Sequence, residues 1–217
     1  MRYKAVLFDM DGTVLNTLGD LTEAVNHTLR EFSMPERTQA EVAGFLGNGA
    51  ALLIGCSVPE GTSPELTAKV LEKYAPYYDS HCDILTAPYE GIVPLMEELK
   101  ARGVKQAVIS NKQDTAVKPL AEKHFPGLLE TAVGESATVR RKPNPDAVTA
   151  ALEYMKVDRT EAIYVGDTEV DIQTAVNAGM ECASVGWGFR SVEQLRQAGA
   201  ERIFETPEEL GRYLLAE

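Results

Sequence analysis

Residues 5 to 13 read Ala-Val-Leu-Phe-Asp-Met-Asp-Gly-Thr. The apolar run Ala5 to Phe8 stops at two carboxylates one residue apart, Asp9 and Asp11, and then at Gly12 and Thr13. A short apolar run closed by turn residues suits a strand buried on both faces of a parallel sheet. In open α/β sheets, ligands gather at the carboxyl ends of such strands. In strict strand geometry Asp9 and Asp11 share a face, and Gly12 lets the chain turn sharply after them. Two crowded acids repel unless a proton or a cation separates them, and Mg²⁺, a hard oxygen-seeking ion, is the natural neutraliser. The same residues also allow a plainer reading, a strand ending in a solvated Asp-Gly turn.

The rest of the chain alternates. Helical spacing of Ile92, Leu95, Met96 and Leu99 marks a helix over residues 91–102, with Gly103 as its C-cap. Strands are expected at 104–110, 162–166, 182–185 and, briefly, 202–204, with helices at 170–178 and 207–215. Repeated strand–helix–strand units predict an α/β fold, a Rossmann-like parallel sheet with helices on both faces. One segment breaks the pattern. Residues 18–85 carry two helical stripes (Leu21, Ala24, Val25, Thr28, Leu29, Phe32, and Leu66, Val70, Leu71, Tyr74, Tyr78) separated by Gly44, Gly47, Gly49, Gly55, Pro59 and Gly61. They read as a small all-helical cap inserted after the first strand, or as helices covering the sheet. The expected division is a core of residues 1–15 and 86–217 and a cap of 16–85.

Thirty-three acidic against 21 basic side chains give a net charge of −12. That argues against a nucleic-acid backbone or an anionic membrane as partner. No apolar stretch reaches the length of a bilayer span. The first strand starts too early to leave room for a signal peptide, and three scattered cysteines suit reduced thiols. The expected location is therefore cytoplasmic, with Cys182 as a core filler and His27, His81 and His124 structural or solvent-facing.

Three more polar clusters follow or flank apolar runs: Ser110-Asn111, Lys142-Pro143-Asn144-Pro145, and Gly166-Asp167 with Asp171 four residues on. In a parallel sheet these would meet at the edge that holds Asp9 and Asp11. Taken singly, each has a structural explanation: a turn, a loop lysine, and acids that complement a helix dipole.

Asp9-Met-Asp11-Gly12-Thr13, Ser110-Asn111, Lys142-Pro143 and Gly166-Asp167-Thr168 with Asp171 resemble the four motifs of the haloacid dehalogenase-like superfamily, across essentially the whole chain. The helical segment resembles that family's first-type (C1) cap. Gly47-Asn48-Gly49-Ala50, and Val185-Gly186-Trp187-Gly188-Phe189-Arg190 leading to Gly199-Ala200, are similar to phosphoglycolate phosphatases. Asn16-Thr17 departs from the usual Asp-Ser, and Val14 from the usual Leu.

The resemblance implies a Mg²⁺-dependent phosphatase acting on a small-molecule phosphate ester. Asp9 is implied as the nucleophile that forms an aspartyl-phosphate, Asp11 as acid and base, and Lys142 as the cation on the phosphoryl oxygens. Thr13, Ser110 and Asn111 are implied at the phosphate. Asp9, Asp167 and the Asp11 carbonyl are implied as metal ligands, with Asp171 helping directly or through water. The dehalogenases of the superfamily lack the second acid, so Asp11 favours ester hydrolysis. The leading substrate is 2-phosphoglycolate, with Gly47, Asn48 and Gly49 presenting backbone amides to its carboxylate or merely capping a helix. The alternatives are a sugar-phosphate phosphatase and a β-phosphoglucomutase-like mutase. Trp187 is either packing or a dimer contact, so both monomer and homodimer are open.

Overall fold

The structure, a computed structural model, describes residues 2–216 of the chain. It divides into two compact units, Met1–Leu15 with Pro88–Glu217, and Asn16–Ala87. β1 (Ala5–Asp9) is buried along its whole length. After a turn, β2 (Leu15–Asn16) pairs with β3 (Ala87–Pro88), and the helical unit is threaded between these two short strands.

The helical unit comprises α1 (Leu18–Glu31), α2 (Gln39–Phe45), α3 (Ala50–Ser57) and α4 (Pro64–His81). The first expected stripe is realised on α1, where Leu21, Ala24, Val25, Thr28 and Leu29 are buried. The second is realised in part: Val70, Tyr74 and Tyr78 are buried on α4, whereas Leu66 is exposed near its start. Asp20 ties the returning segment down. Its buried carboxylate accepts the backbone N–H groups of Ile84, Leu85 and Thr86 at 2.9–3.0 Å and the Thr86 hydroxyl at 2.7 Å. His27 and His81 stack on either side of Tyr77, at 3.7 and 4.1 Å between ring centroids.

The other unit continues through α5 (Ile92–Ala101), β4 (Lys105–Gln113), α6 (Asp114–His124), β5 (Thr131–Glu135), α7 (Asp146–Met155), β6 (Ala162–Gly166), α8 (Glu169–Ala178), β7 (Glu181–Val185), α9 (Val192–Gln197), β8 (Ile203–Phe204) and α10 (Pro207–Leu214). Among the described residues its strands form one six-stranded sheet in the order β5-β4-β1-β6-β7-β8, with parallel pairing throughout. One face of β1, β4 and β6 (Ala5, Leu7, Ala107, Ile109, Tyr164) packs on Ala147, Val148, Ala151 and Met155 of α7 and Ala175 of α8. On the opposite face Gln106 of β4 donates its amide to the Met96 carbonyl of α5 at 2.8 Å. Both faces are thus covered, which is why the strand sequences are apolar runs instead of alternating ones.

The alternation read from the sequence omits β5, α6 and α9. β5 is an edge strand, mostly half-buried and interrupted by Gly134, so it lacks the continuous apolar run of its neighbours. β4 also runs three residues past the expected end at Ser110. Its register against β5 shifts between Ile109 and Gln113, an irregularity of the kind that re-aims side chains at a strand end.

Candidate active site

From β1 the sheet grows first through β4 and β5 on one side, then through β6, β7 and β8 on the other. β1 is therefore the switch strand, and the crevice beyond its carboxyl end is where such sheets hold ligands. Asp9 is the last residue of β1, Asp167 directly follows β6, and Asp171 lies in the first turn of α8. Among the described residues these three buried acids are brought together, with one oxygen from each lying within 4.8 Å of the others.

Lys142 reaches into this cluster, its side chain almost wholly buried, and places Nζ 2.7 Å from Asp9 Oδ1 and 2.7 Å from Asp171 Oδ1. Burial alone would lower its pKa, but Asp171 and Asp9 outweigh that and hold it well above the ordinary lysine value. Asp9 is pushed well above the carboxylate range by burial and then by the charge of Asp171, against the opposing pull of Lys142. Asp167 is pushed up to about 7, again by burial first and Asp171 second. Three crowded carboxylates against one buried ammonium leave the cluster under-compensated. A hard divalent cation fits such an all-oxygen, net-negative donor set.

The supporting contacts are specific. Asp9 Oδ1 also accepts the Met10 N–H at 2.7 Å, so both of its bonds are on one oxygen and Oδ2 lies outside them. Asp167 Oδ1 accepts the Thr13 hydroxyl at 3.1 Å and Oδ2 the Phe189 N–H at 2.7 Å. Asp171 commits both oxygens. Oδ1 takes Lys142 and the Tyr164 hydroxyl (3.2 Å), and Oδ2 takes the Thr168 N–H (3.0 Å) and hydroxyl (2.7 Å) in a capping box that starts α8. Asn111 brackets the main chain of Lys142, accepting its N–H at 2.6 Å and donating to its carbonyl at 3.2 Å. The side chains of Thr13 and Asn111, expected at the phosphate, are thus found on Asp167 and on the Lys142 backbone. Asp171 is found orienting Lys142.

β1 ends at Asp9, so Asp11 does not share its strand face as strict alternation predicts. The chain turns through Gly12 (φ 86°), where any side chain would collide with Asp167. Asp11 instead pairs Oδ1 with Lys112 Nζ at 3.0 Å, and its Oδ2 lies 3.4 Å from the Ser110 hydroxyl. Sequence reasoning passed over Lys112. The signal for it was present, because Lys112 stands two residues after Ser110 on a strand and so tends to the same face. The loop after β7 was also underestimated. Trp187 Nε1 donates to the Thr13 carbonyl at 3.0 Å, and Gly188 lies so close to Asp167 and the Gly12 carbonyl that a Cβ there would overlap both.

Gly47, Asn48 and Gly49 belong to the helical unit, where Gly47 and Gly49 adopt positive φ (110° and 81°) and Gly49 precedes α3. Of that unit's cations, Arg30 pairs with Glu23 and Glu36, and Arg37 donates to the Ser57 and Val58 carbonyls.

Residues 6–185 match the family model described as haloacid dehalogenase-like hydrolase. The chain belongs to this family. Among its relatives, phosphoglycolate phosphatase 1 of Pseudomonas aeruginosa is 32% identical over 86% of this chain and 70% of its own length. A phosphoglycolate phosphatase of Rhodospirillum rubrum is 31% identical over 97% of this chain and 90% of its own. A Lactobacillus delbrueckii crystal structure, provisionally described as a phosphoglycolate phosphatase, superposes with a TM-score of 0.96 at 38% identity, with both chains covered in full. As a member of this family the chain is a hydrolase, and its α/β core with a parallel sheet is that of its structural relatives.

Proposed function

We propose that this hydrolase is a Mg²⁺-dependent phosphatase of small phosphomonoesters, with 2-phosphoglycolate as its substrate, and that it works in the cytoplasm through an aspartyl-phosphate. One observation carries the reading: a buried carboxylate, Asp9, stands at the mouth of the switch strand with Lys142 2.7 Å away and two further acids around it. Phosphatases among the relatives support the reaction class, and the shared name supports the substrate. Three scattered cysteines without paired spacing suit a reducing compartment.

Asp9 attacks phosphorus through Oδ2, the oxygen outside its two hydrogen bonds, and displaces the alkoxide. Lys142, held by Asp171 and Asp9, offsets charge on the equatorial oxygens of the phosphoryl group. Ser110 donates to one of those oxygens. Asp11 gives its proton to the leaving alkoxide, then accepts one from the water that hydrolyses the phosphoenzyme. Asp9 and Asp167, with the Asp11 carbonyl, would hold the metal. When bound, Mg²⁺ supplies positive charge that keeps Asp9 ionised and orients the phosphoryl group. Thr13 and the Phe189 amide fix Asp167 for that purpose. Gly47, Asn48 and Gly49 enter the proposal on sequence grounds alone, as amides for the carboxylate of the leaving group.

The test is phosphate release from 2-phosphoglycolate, p-nitrophenyl phosphate and a hexose 1-phosphate, with and without Mg²⁺. The expected result is Mg²⁺-dependent release with 2-phosphoglycolate ahead. Isomerised sugar phosphate in place of free phosphate would make the protein a mutase.

A further inference from the structure

We propose that Lys112 reads the leaving group, so that the site selects phosphomonoesters whose alcohol carries a carboxylate next to the ester carbon. The inference rests on the phosphatase reading above and deepens it.

Two lysines touch the catalytic carboxylates, and they divide the work by position. Lys142 sits on the nucleophile side, on Asp9 and Asp171. Lys112 sits on the acid/base side, 3.0 Å from Asp11 Oδ1, with its side chain only 8% exposed. Its backbone N–H donates to the Ser110 hydroxyl at 3.1 Å, which fixes the stem of the side chain beside the phosphate-side hydroxyl. The register shift of β4 between Ile109 and Gln113 lies over these residues.

The ester oxygen must hydrogen-bond to Asp11 to receive its proton, so it comes within one carboxylate and one hydrogen bond of the Lys112 ammonium. In 2-phosphoglycolate the carboxylate carbon is two bonds from that oxygen. The anion is thereby carried into the near field of Lys112, where burial strengthens the attraction well beyond its value in water. A lysine ammonium is a compact point charge with three donors, able to serve Asp11 and a second carboxylate together. The pairing also answers a problem of sign. The chain carries a net charge of −12, and the Asp9, Asp167 and Asp171 cluster already strains the single charge of Lys142. Neutral amides such as those of residues 47–49 bring no net charge, so an anionic leaving group still needs its own cation on the far side of the phosphorus.

The experiment compares kcat and KM of the wild type and of Lys112→Met on 2-phosphoglycolate, on ethyl phosphate (the same two carbons without the carboxylate) and on p-nitrophenyl phosphate. The wild type is expected to prefer 2-phosphoglycolate over ethyl phosphate. Lys112→Met is expected to lose at least about tenfold more kcat/KM on 2-phosphoglycolate than on ethyl phosphate, mainly through KM, and Lys112→Arg to recover part of that loss. Equal losses on the two alkyl substrates would mean that Lys112 acts only by holding Asp11, and would overturn the proposal. If Lys112→Met does not fold, Lys112→Gln carries the same comparison: a loss selective for 2-phosphoglycolate over ethyl phosphate supports the inference, and equal losses on the two overturn it. A wild type that hydrolyses p-nitrophenyl phosphate yet shows no preference between the alkyl substrates leaves the phosphatase reading standing and removes the role of Lys112. Release of phosphate from none of the three removes the phosphatase reading itself.

Discussion

Asp9 and Asp171 touch the same ammonium, yet their removal should have opposite consequences. Asp9→Asn takes one charge out of a cluster that burial and mutual repulsion already penalise, while Lys142 keeps its bond to Asp171. The expected outcome is no measurable turnover, because an amide is a poor nucleophile, with a Tm in metal-free buffer equal to or above that of the wild type. Scanning calorimetry and phosphate release on the same sample check both halves. Asp171→Ala removes the Lys142 partner, the Tyr164 bond and the cap of α8 together. Breaking one arm of a buried ion pair should cost about 3 kcal/mol, seen as a lower urea midpoint at unchanged m-value. A neutral effect would mean that relief of the crowding on Asp9 and Asp167 offsets the lost contacts.

Among the elements, the loop after β7 does more than its sequence suggests. From the sequence Trp187 reads as packing or a dimer contact. The fold places its indole on the Thr13 carbonyl, the Phe189 amide on Asp167, and Gly188 against both Asp167 and Gly12. Arg190 then fastens the loop to Glu169 of α8 with two bonds of 2.8 and 3.0 Å. If Asp167 holds the metal as proposed, Gly188→Ala should push it from its place and weaken Mg²⁺ binding by about tenfold or more, the loss typical of disturbing groups that orient metal ligands. Calorimetric titration with Mg²⁺, without substrate, is the measurement. Unchanged affinity would separate the loop from the metal site. In the helical unit Asp20 plays the comparable structural part, receiving the amides of residues 84–86. A single acid in a helical stripe gives no sequence sign of a partner more than 60 residues away.

For the whole molecule, the crowded acids link stability to pH and to metal. Asp167 sits at about 7 in the fold against an ordinary 3.8. Between those values the folded chain binds more protons than the unfolded one, so this group's contribution to stability is full below about 4, declines as pH rises, and is lost above about 7. On the proposed reading, Mg²⁺ would compete for the same oxygens and remove the penalty. Its addition should raise Tm by several degrees at pH 8 and by much less at pH 5.5, read by thermal unfolding at matched ionic strength. An equal shift at both pH values would place the bound ion elsewhere.

The sequence by itself determined the layered α/β core, because strands buried on both faces must be written as apolar runs and their polar ends must meet at one edge. It likewise marked Asp9, Asp11, Ser110, Lys142, Asp167 and Asp171 as candidates, through polar groups that end or flank such runs and through the family motifs they resemble. Tertiary structure alone decided which groups pair. The turn at Gly12 swings Asp11 away from Asp9 and beside Lys112, and Thr13, Asn111 and Asp171 become supports of other residues. Pairings of that kind depend on distances between segments about 30 to 150 residues apart in the chain, and, the shared strand face of Ser110 and Lys112 aside, no pattern of neighbours within a strand or helix encodes them.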